Sequence, residues 1–295
     1  MKKTILAVTV LAMAALQSCK HGEPVNLKFN FQPGTKYQYV TETKQVIKQV
    51  SQNMTMNQDM TMSTVYEVTN AEGNNKKINV MYDRLAVKSG NGATTVEYDS
   101  KDPGKQDQNL KYMNGMLNKP FSMTVNDKGE IVQLSGVKEM IAGIADSTNP
   151  NMEMVKEQMN QTFNDSTIRS MMQQSFYVYP ENAIAPGDSW ERQFSMTGII
   201  NMQMNNKFKL VSVSNGVAHI EVNTKIVGTA GNNPAMKQMK MELNGTQTGT
   251  MDVEVSSGLI TDSKMKQKMK GKMSMMGMEI PMEISSDVHI TGKKL

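Results

Sequence analysis

The sequence predicts a mainly β (α+β) protein of large curved antiparallel sheets, with a helical segment at about 136–176 packed on them. Three observations predict it. Long runs alternate polar and apolar residues with period two, the mark of half-buried antiparallel strands. Turn signals punctuate those runs at Gln32-Pro33-Gly34, Asn70 to Asn75, Asn126 to Gly129, Ser214-Asn215-Gly216 and Ser256-Ser257-Gly258. Between Val137 and Phe176 the period becomes helical.

Composition bounds the function. The 295 residues include 30 Met but only 12 Leu, where Leu normally leads. Cys19 is the single cysteine, which excludes an internal disulfide, a thiol pair and a Cys-rich zinc site. Three histidines make a multi-His metal site or a His-based triad hard to build. No metal site and no cofactor is expected.

The N-terminus reads as a lipoprotein signal peptide over residues 1–18. Lys2 and Lys3 supply the positive start, and Thr4 to Ala15 form an apolar stretch too short to span a bilayer. Leu16-Gln17-Ser18-Cys19 then resembles the bacterial lipobox, which makes Cys19 the expected site of lipidation and the mature N-terminus. Attached acyl chains contribute about 0.8 kcal/mol per buried methylene, so two or three anchor a protein stably. Removing the leader takes two lysines, leaving 30 minus 28, or +2. That charge names no nucleic-acid partner. Residues 19–25 form a tether reaching about 20 Å, so the domain lies close to the membrane. Lys20 after the cysteine favours the outer membrane by resemblance to known sorting rules, with the periplasmic face expected.

Residues 26–295 read as one β-rich domain. Met54, Met56, Met60, Met62, Tyr66 and Val68 share one parity, and Val217 to Val222 is a second β-rich run. In the helical insert at 136–180, Val137, Met140, Ile141 and Ile144 share a face. So do Met152, Val155 and Met159, and then Ile168, Met171, Met172 and Phe176. Asn149-Pro150 suits a helix start, Asp165 suits a cap, and Pro180 closes the segment. A shorter helix around Gln108 to Leu117 is also expected. Two halves, about 26–135 and 183–295, look related: Gln32-Pro33-Gly34 answers Ala185-Pro186-Gly187, Gly73 answers Gly216, and Gly129 answers Gly258. Such a repeat implies a half-barrel or shell.

The stretch from Met236 to Met275 folds back at Ser256-Ser257-Gly258. If facing residue numbers sum to 514, Gly249 meets Met265, Gly245 meets Met269, Leu243 meets Gly271 and Gln247 meets Gln267. Small faces large, as a packed sheet needs. Met239, Met241, Met265, Met269, Met273 and Met275 then share the apolar face and are the candidate ligand-facing residues. Lys264, Lys266, Lys268, Lys270 and Lys272 share the other, a cationic row about 27 Å long. That row suits an anionic surface; equally, it is a solvated face that resists aggregation. Past Met275 the parity flips, which suggests a bulge, and Pro281 suggests an edge strand.

The methionines admit three readings: core filler in place of Leu, lining of an adaptable hydrophobic concavity, or soft ligands for Cu(I) or Ag(I). Catalysis is not expected, since no nucleophile elbow, phosphate loop, zinc-binding helix or dinucleotide fingerprint occurs. His289 falls on the solvent face, His219 reads as a surface partner of Glu221, and Trp190 as a core anchor. Asp146-Ser147-Thr148 and Asp165-Ser166-Thr167 resemble O-glycan acceptors of some Gram-negative anaerobes, which makes Ser147 and Ser166 candidates; both also suit helix capping.

Several motifs together resemble a family of Gram-negative bacterial lipoproteins known only as a domain of unknown function. They are the lipobox, the early Pro33-Gly34-x-x-Tyr37, Met60-Thr61-Met62 before Tyr66-Glu67-Val68-Thr69, Tyr82-Asp83-Arg84, Tyr98-Asp99-Ser100, Pro186-Gly187-Asp188-Ser189-Trp190 and the Gly-Thr-rich strand near Gly245. The resemblance implies a single domain and an envelope location; it brings no activity, ligand or catalytic residue. The expectation is a membrane-anchored, non-catalytic protein with a hydrophobic or amphipathic ligand in a Met-lined concavity. The alternative is a structural or protein-interaction lipoprotein with a solid Met-rich core.

Overall fold

The computed structural model of the chain describes residues 22–142, 164–197, 200–231, 240–275 and 278–295. The leader with Cys19, the Met152–Met159 helix, Ser147 and Met239 lie outside them.

Twelve strands make one antiparallel sheet. The first half supplies β1 (Lys36–Gln49), β2 (Met54–Glu72), β3 (Asn75–Gly90), β4 (Thr95–Asp99), β5 (Phe121–Val125) and β6 (Ile131–Ser135). The second supplies β7 (Ser189–Met196), β8 (Ile200–Ser214), β9 (Val217–Ala230), β10 (Lys240–Glu254), β11 (Ile260–Met275) and β12 (Met278–Lys294). Their order is β6-β5-β3-β2-β1-β12-β11-β10-β9-β8-β7, with β4 attached to β3. Among the described residues two α-helices accompany them, α1 (Val137–Ala142) and α2 (Asp165–Phe176). The weak helix foreseen near Gln108 is 3-10, over Gln108–Met116.

The halves run in the same direction across the sheet, and they repeat contacts. Before β1, the Gly34 N–H donates to the Val68 carbonyl and the Val68 N–H to Thr35. Before β7, Gly187 donates to Leu210 and Leu210 to Asp188 in the same way. The lead-in segments meet each other where Val25 bridges Ile184. The two halves are therefore not two sheets; β1 and β12 join them into one.

That sheet is strongly curled. Ten inter-strand steps would span about 48 Å if flat, whereas the twelve residues of α2 span about 18 Å. Yet α2 touches both β6 and β7. Gln173 Oε1 accepts from the Ile131 N–H at 2.8 Å, and Arg169 Nη1 donates to the Ile131 carbonyl at 3.2 Å. Immediately after the helix, the Val178 carbonyl accepts from Trp190 Nε1 at 2.8 Å and the Tyr179 carbonyl from Arg192 Nε at 3.0 Å. One short helix thus bridges both edges.

Curling crowds the inner face, and glycine relieves it. The 514 register holds from Lys240↔Ser274 to Asp252↔Asp262 and slips only at a bulge between Asp252 and Val253. Gly249 lies under Met265 and Gly245 under Met269. A methyl built on Gly249 would sit 2.0 Å from the Lys264 carbonyl oxygen and 2.8 Å from Met265 Sδ. The core fills one end of the curl: Phe29, Phe31, Tyr37 and Tyr66 pack beneath α2 around its Phe176, joined by Val137, Met140 and Ile141 of α1.

Four expectations need correction. Asn164, not Asp165, caps α2, since its Oδ1 accepts from the Thr167 N–H at 3.1 Å. Met171 is 41% exposed; Thr167 takes a place on the buried face beside Ile168, Met172 and Phe176. Met275 faces Met278 across the β11–β12 pair, so the parity change marks a reversal of the chain rather than a bulge. And β12 is central, between β11 and β1. Pro281 is tolerated there because the β1 ladder ends at Gln49↔Met282, one residue short of it.

Replacing Gly249 by Ala should cost about 3 kcal/mol, the upper end for overpacking, because the clash is with backbone. Urea unfolding of that variant against wild type measures it.

Candidate functional site

The chemistry of the inner face follows from register. Gln247 on β10 faces Thr224 on β9, Thr224 faces Asn206 on β8, and Asn206 faces Arg192 on β7. In the other direction Gln247 faces Gln267, Gln267 faces Ser286, Ser286 faces Gln45 and Gln45 faces Gln58. Eight polar side chains therefore form one band across eight adjacent strands. Thr224 Oγ1 donates to Asn206 Oδ1 at 2.6 Å and Gln45 Nε2 to Ser286 Oγ at 3.1 Å. At the β7 end the buried Arg192 lies 5.0 Å over the Tyr177 ring and 3.4 Å from Glu181.

Apolar rows flank the band. Toward the helices run Trp190, Phe208, Val222, Met265 and Val288, with Trp190 stacked on Phe208 at 5.3 Å as a core anchor should be. Beyond the band Met204, Ile226, Met241, Leu243, Met269 and Ile284 form a second, smaller cluster.

The predicted ligand-facing methionines divide. Met241, Met265 and Met269 are buried and serve as core; Met273 packs half-buried against the second cluster. Open apolar surface lies instead on β2, where Met56, Met60 and Met62 are half-buried and Met54 is 38% exposed.

The lysine row is real, exposed and largely neutralised. Lys264 pairs with Asp262 at 3.0 Å, Lys270 with Glu283 at 2.7 Å and Lys272 with Glu279 at 2.9 Å. Two of these acids come from β12, the neighbour that the hairpin alone does not reveal. Ser166 is exposed in the first turn of α2.

His219 does not partner Glu221. It accepts or donates at 2.8 Å to Asp252, directly across on β10, and at 2.9 Å to Ser214 Oγ. The order of atoms is that of a nucleophile, base and acid. However, Ser214 is an exposed residue beside the Asn215-Gly216 turn, and His219 and Asp252 are 39% and 37% exposed. Water reaches all three. The series ties the hairpin to β10. His289, on the solvent face as expected, binds Asp262 at 2.7 Å.

Two of the quoted motifs meet. Arg84 forks onto Asp99 at 2.8 and 3.3 Å, and the Leu85 N–H donates to Ser100 Oγ at 3.1 Å. The Tyr98 hydroxyl, on a buried ring, reaches Asn114 at 2.5 Å. These contacts staple β4 and the 3-10 segment to β3.

Two grooves, of about 530 and 540 Å³, open on the outer face, one over β2, β3, β5 and β6 and the other over β7 to β10. Among the described residues no three His, Cys, Asp or Glu side chains gather to hold a metal ion.

The arrangement defines a class: an open, curled antiparallel sheet, apolar within and closed along one side by a helix. The chain belongs to a family of unknown function (DUF6263), which matches residues 73–260. No protein of curated function matches the sequence. Among solved structures, lipovitellin is similar over 90% of this chain at 11% identity and TM-score 0.48, and the chain spans 25% of the lipovitellin chain. The COG4313 outer membrane channel of Pseudomonas putida F1 is similar over 92% of this chain and 100% of its own, at 6% identity and TM-score 0.22. Pseudomonas aeruginosa OccK11 (OpdR) is similar over 90% of this chain and 100% of its own, at 6% identity and TM-score 0.22.

Hydrogen bonds from Arg84 foremost hold the Asp99 carboxyl below the usual carboxylate range, against the opposing effect of burial. A lowered folded-state value means stability present above the ordinary range and lost as pH falls through the lowered one. Asp99→Asn should therefore cost about 1 kcal/mol near neutrality, discounted for the exposed guanidinium. The difference should shrink on acidification to about pH 3. Urea unfolding at both pH values checks it.

Proposed function

We propose that this protein is a lipid-anchored, non-catalytic member of the Gram-negative cell envelope that holds a hydrophobic or amphipathic ligand against the inner face of its sheet. The observation that carries the ligand reading is the inner face of β2. Met54, Met56, Met60 and Met62 share the face of the buried core, yet remain partly open to solvent. Thioether side chains adapt to many apolar shapes, and a methionine surface left open is costly unless something covers it.

The polar band supports the amphipathic half of the reading. Gln58 lies between Met56 and Met60 on the same face, and Gln45 lies directly opposite it on β1. A ligand along β2 meets apolar side chains on both sides of a hydrogen-bonding row. This suits a chain with a polar group better than a plain hydrocarbon.

The anchor rests on the leader, the lipobox and Cys19. Acylation there, on a short tether, holds the domain at the periplasmic face of the outer membrane. A single cysteine leaves one candidate for the modification.

Two measurements test these halves separately. Metabolic labelling with palmitate should mark the wild-type chain and leave Cys19→Ala unmarked; label on the variant would remove the anchor. Native mass spectrometry of full-length protein, taken gently from its own envelope, should show an extra mass that solvent extraction releases. Met60→Glu should lose that mass while unfolding within a few degrees of wild type, as surface changes do. A bare polypeptide from wild type would remove the ligand reading.

A further inference from the structure

The structure sorts the five lysines of β11. Lys264, Lys270 and Lys272 are held in ion pairs, whereas Lys266 and Lys268 make none among the described residues. The two left over sit side by side in the middle of the row. On β10 their direct partners are Thr248 and Thr246, and both threonines line the outer groove of about 540 Å³.

The groove's own chemistry is consistent. Asn205, Asn223, Thr246 and Thr248 offer amide and hydroxyl groups from three adjacent strands, with Lys207 and Lys225 among them. Lys225 pairs with Thr246 on the side opposite Lys268, so these two lysines flank the threonine at about 10 Å from each other. The acids nearby are Glu191, facing Lys207, Glu221, facing Lys209, and Asp287, facing Lys266. Five lysines against three acids leave an excess of two positive charges.

We infer that this outer groove binds an anionic saccharide, a sugar ring bearing phosphate or carboxylate. Short amide and hydroxyl side chains match ring hydroxyls, which both donate and accept. Lysines act as point charges that accept either anion without the planar fork that only Arg imposes. The site lies on the opposite face of the sheet from the methionines of β2, and it stands or falls independently of them.

The test titrates full-length protein in detergent by calorimetry with glucose 6-phosphate, glucuronate, glucose and inorganic phosphate. Glucose 6-phosphate or glucuronate should bind saturably and at least tenfold more tightly than glucose or inorganic phosphate. The double variant Lys266→Gln/Lys268→Gln should weaken that binding tenfold or more. Lys270→Gln/Lys272→Gln removes the same charge from the same row and should leave it unchanged. All four side chains are exposed, so neither variant threatens the fold. Equal loss in the two variants would mean diffuse attraction to the row and would overturn the assignment. So would inorganic phosphate binding as well as the sugar phosphate, or neither anionic sugar binding at all.

Discussion

A sheet whose two edges must reach the same twelve-residue helix has to curl, and every other feature of this protein answers to that constraint. Curling compresses the inner face and stretches the outer one. Inside, bulky side chains fit only where a neighbour has none, which is why Met265 and Met269 lie over Gly249 and Gly245, and Tyr39 over Gly292. The Tyr39 hydroxyl then accepts from the Ile260 N–H, and burial holds its proton on well above the usual phenol range. Methionine suits such a surface better than leucine, since an unbranched side chain can lie along the sheet.

The two faces solve different problems. The outer face is kept soluble and unattractive to other strands by charge in register. Lys266 faces Asp287, Asp287 faces Lys44, Lys44 faces Asp59 and Asp59 faces Lys88, so sign alternates across five adjacent strands. Such a ladder discourages edge-to-edge association without giving the sheet a strong net charge. Positive charge in excess survives where β9 to β11 carry no acid opposite it. On the inner face the polar band divides two apolar regions, one closed by the helices and one reaching toward β2. The band also penalises a slipped register, which would drive Gln and Arg side chains against apolar rows.

Local patterns were legible in the sequence because side-chain direction in a strand has period two. The hairpin register around Gly258 could be written from small-against-large matching alone, and it holds over thirteen successive pairs. The turns at Gly73, Gly129, Gly216 and Gly258 all occur, each with positive φ. A pattern along one strand does not say which neighbour that strand has. Pro281 looked like an edge residue because an edge and the end of a partner strand are equivalent locally. The parity change after Met275 suited a bulge as well as a reversal. Parity along β9 matches His219 with Glu221, whereas its partner Asp252 lies across the ladder on β10.

The sequence by itself determined the alternating strands, their turns and the helical interruption, because each depends on residues close in the chain. Only tertiary structure decided what those strands assemble. The polar band takes its members from eight strands, and the ion partners of Lys270 and Lys272 come from β12. The openness of Met56, Met60 and Met62 depends on what packs above them. Each is a fact about neighbours brought together by the curl, and no periodicity along one strand encodes the height of its neighbour in the sheet.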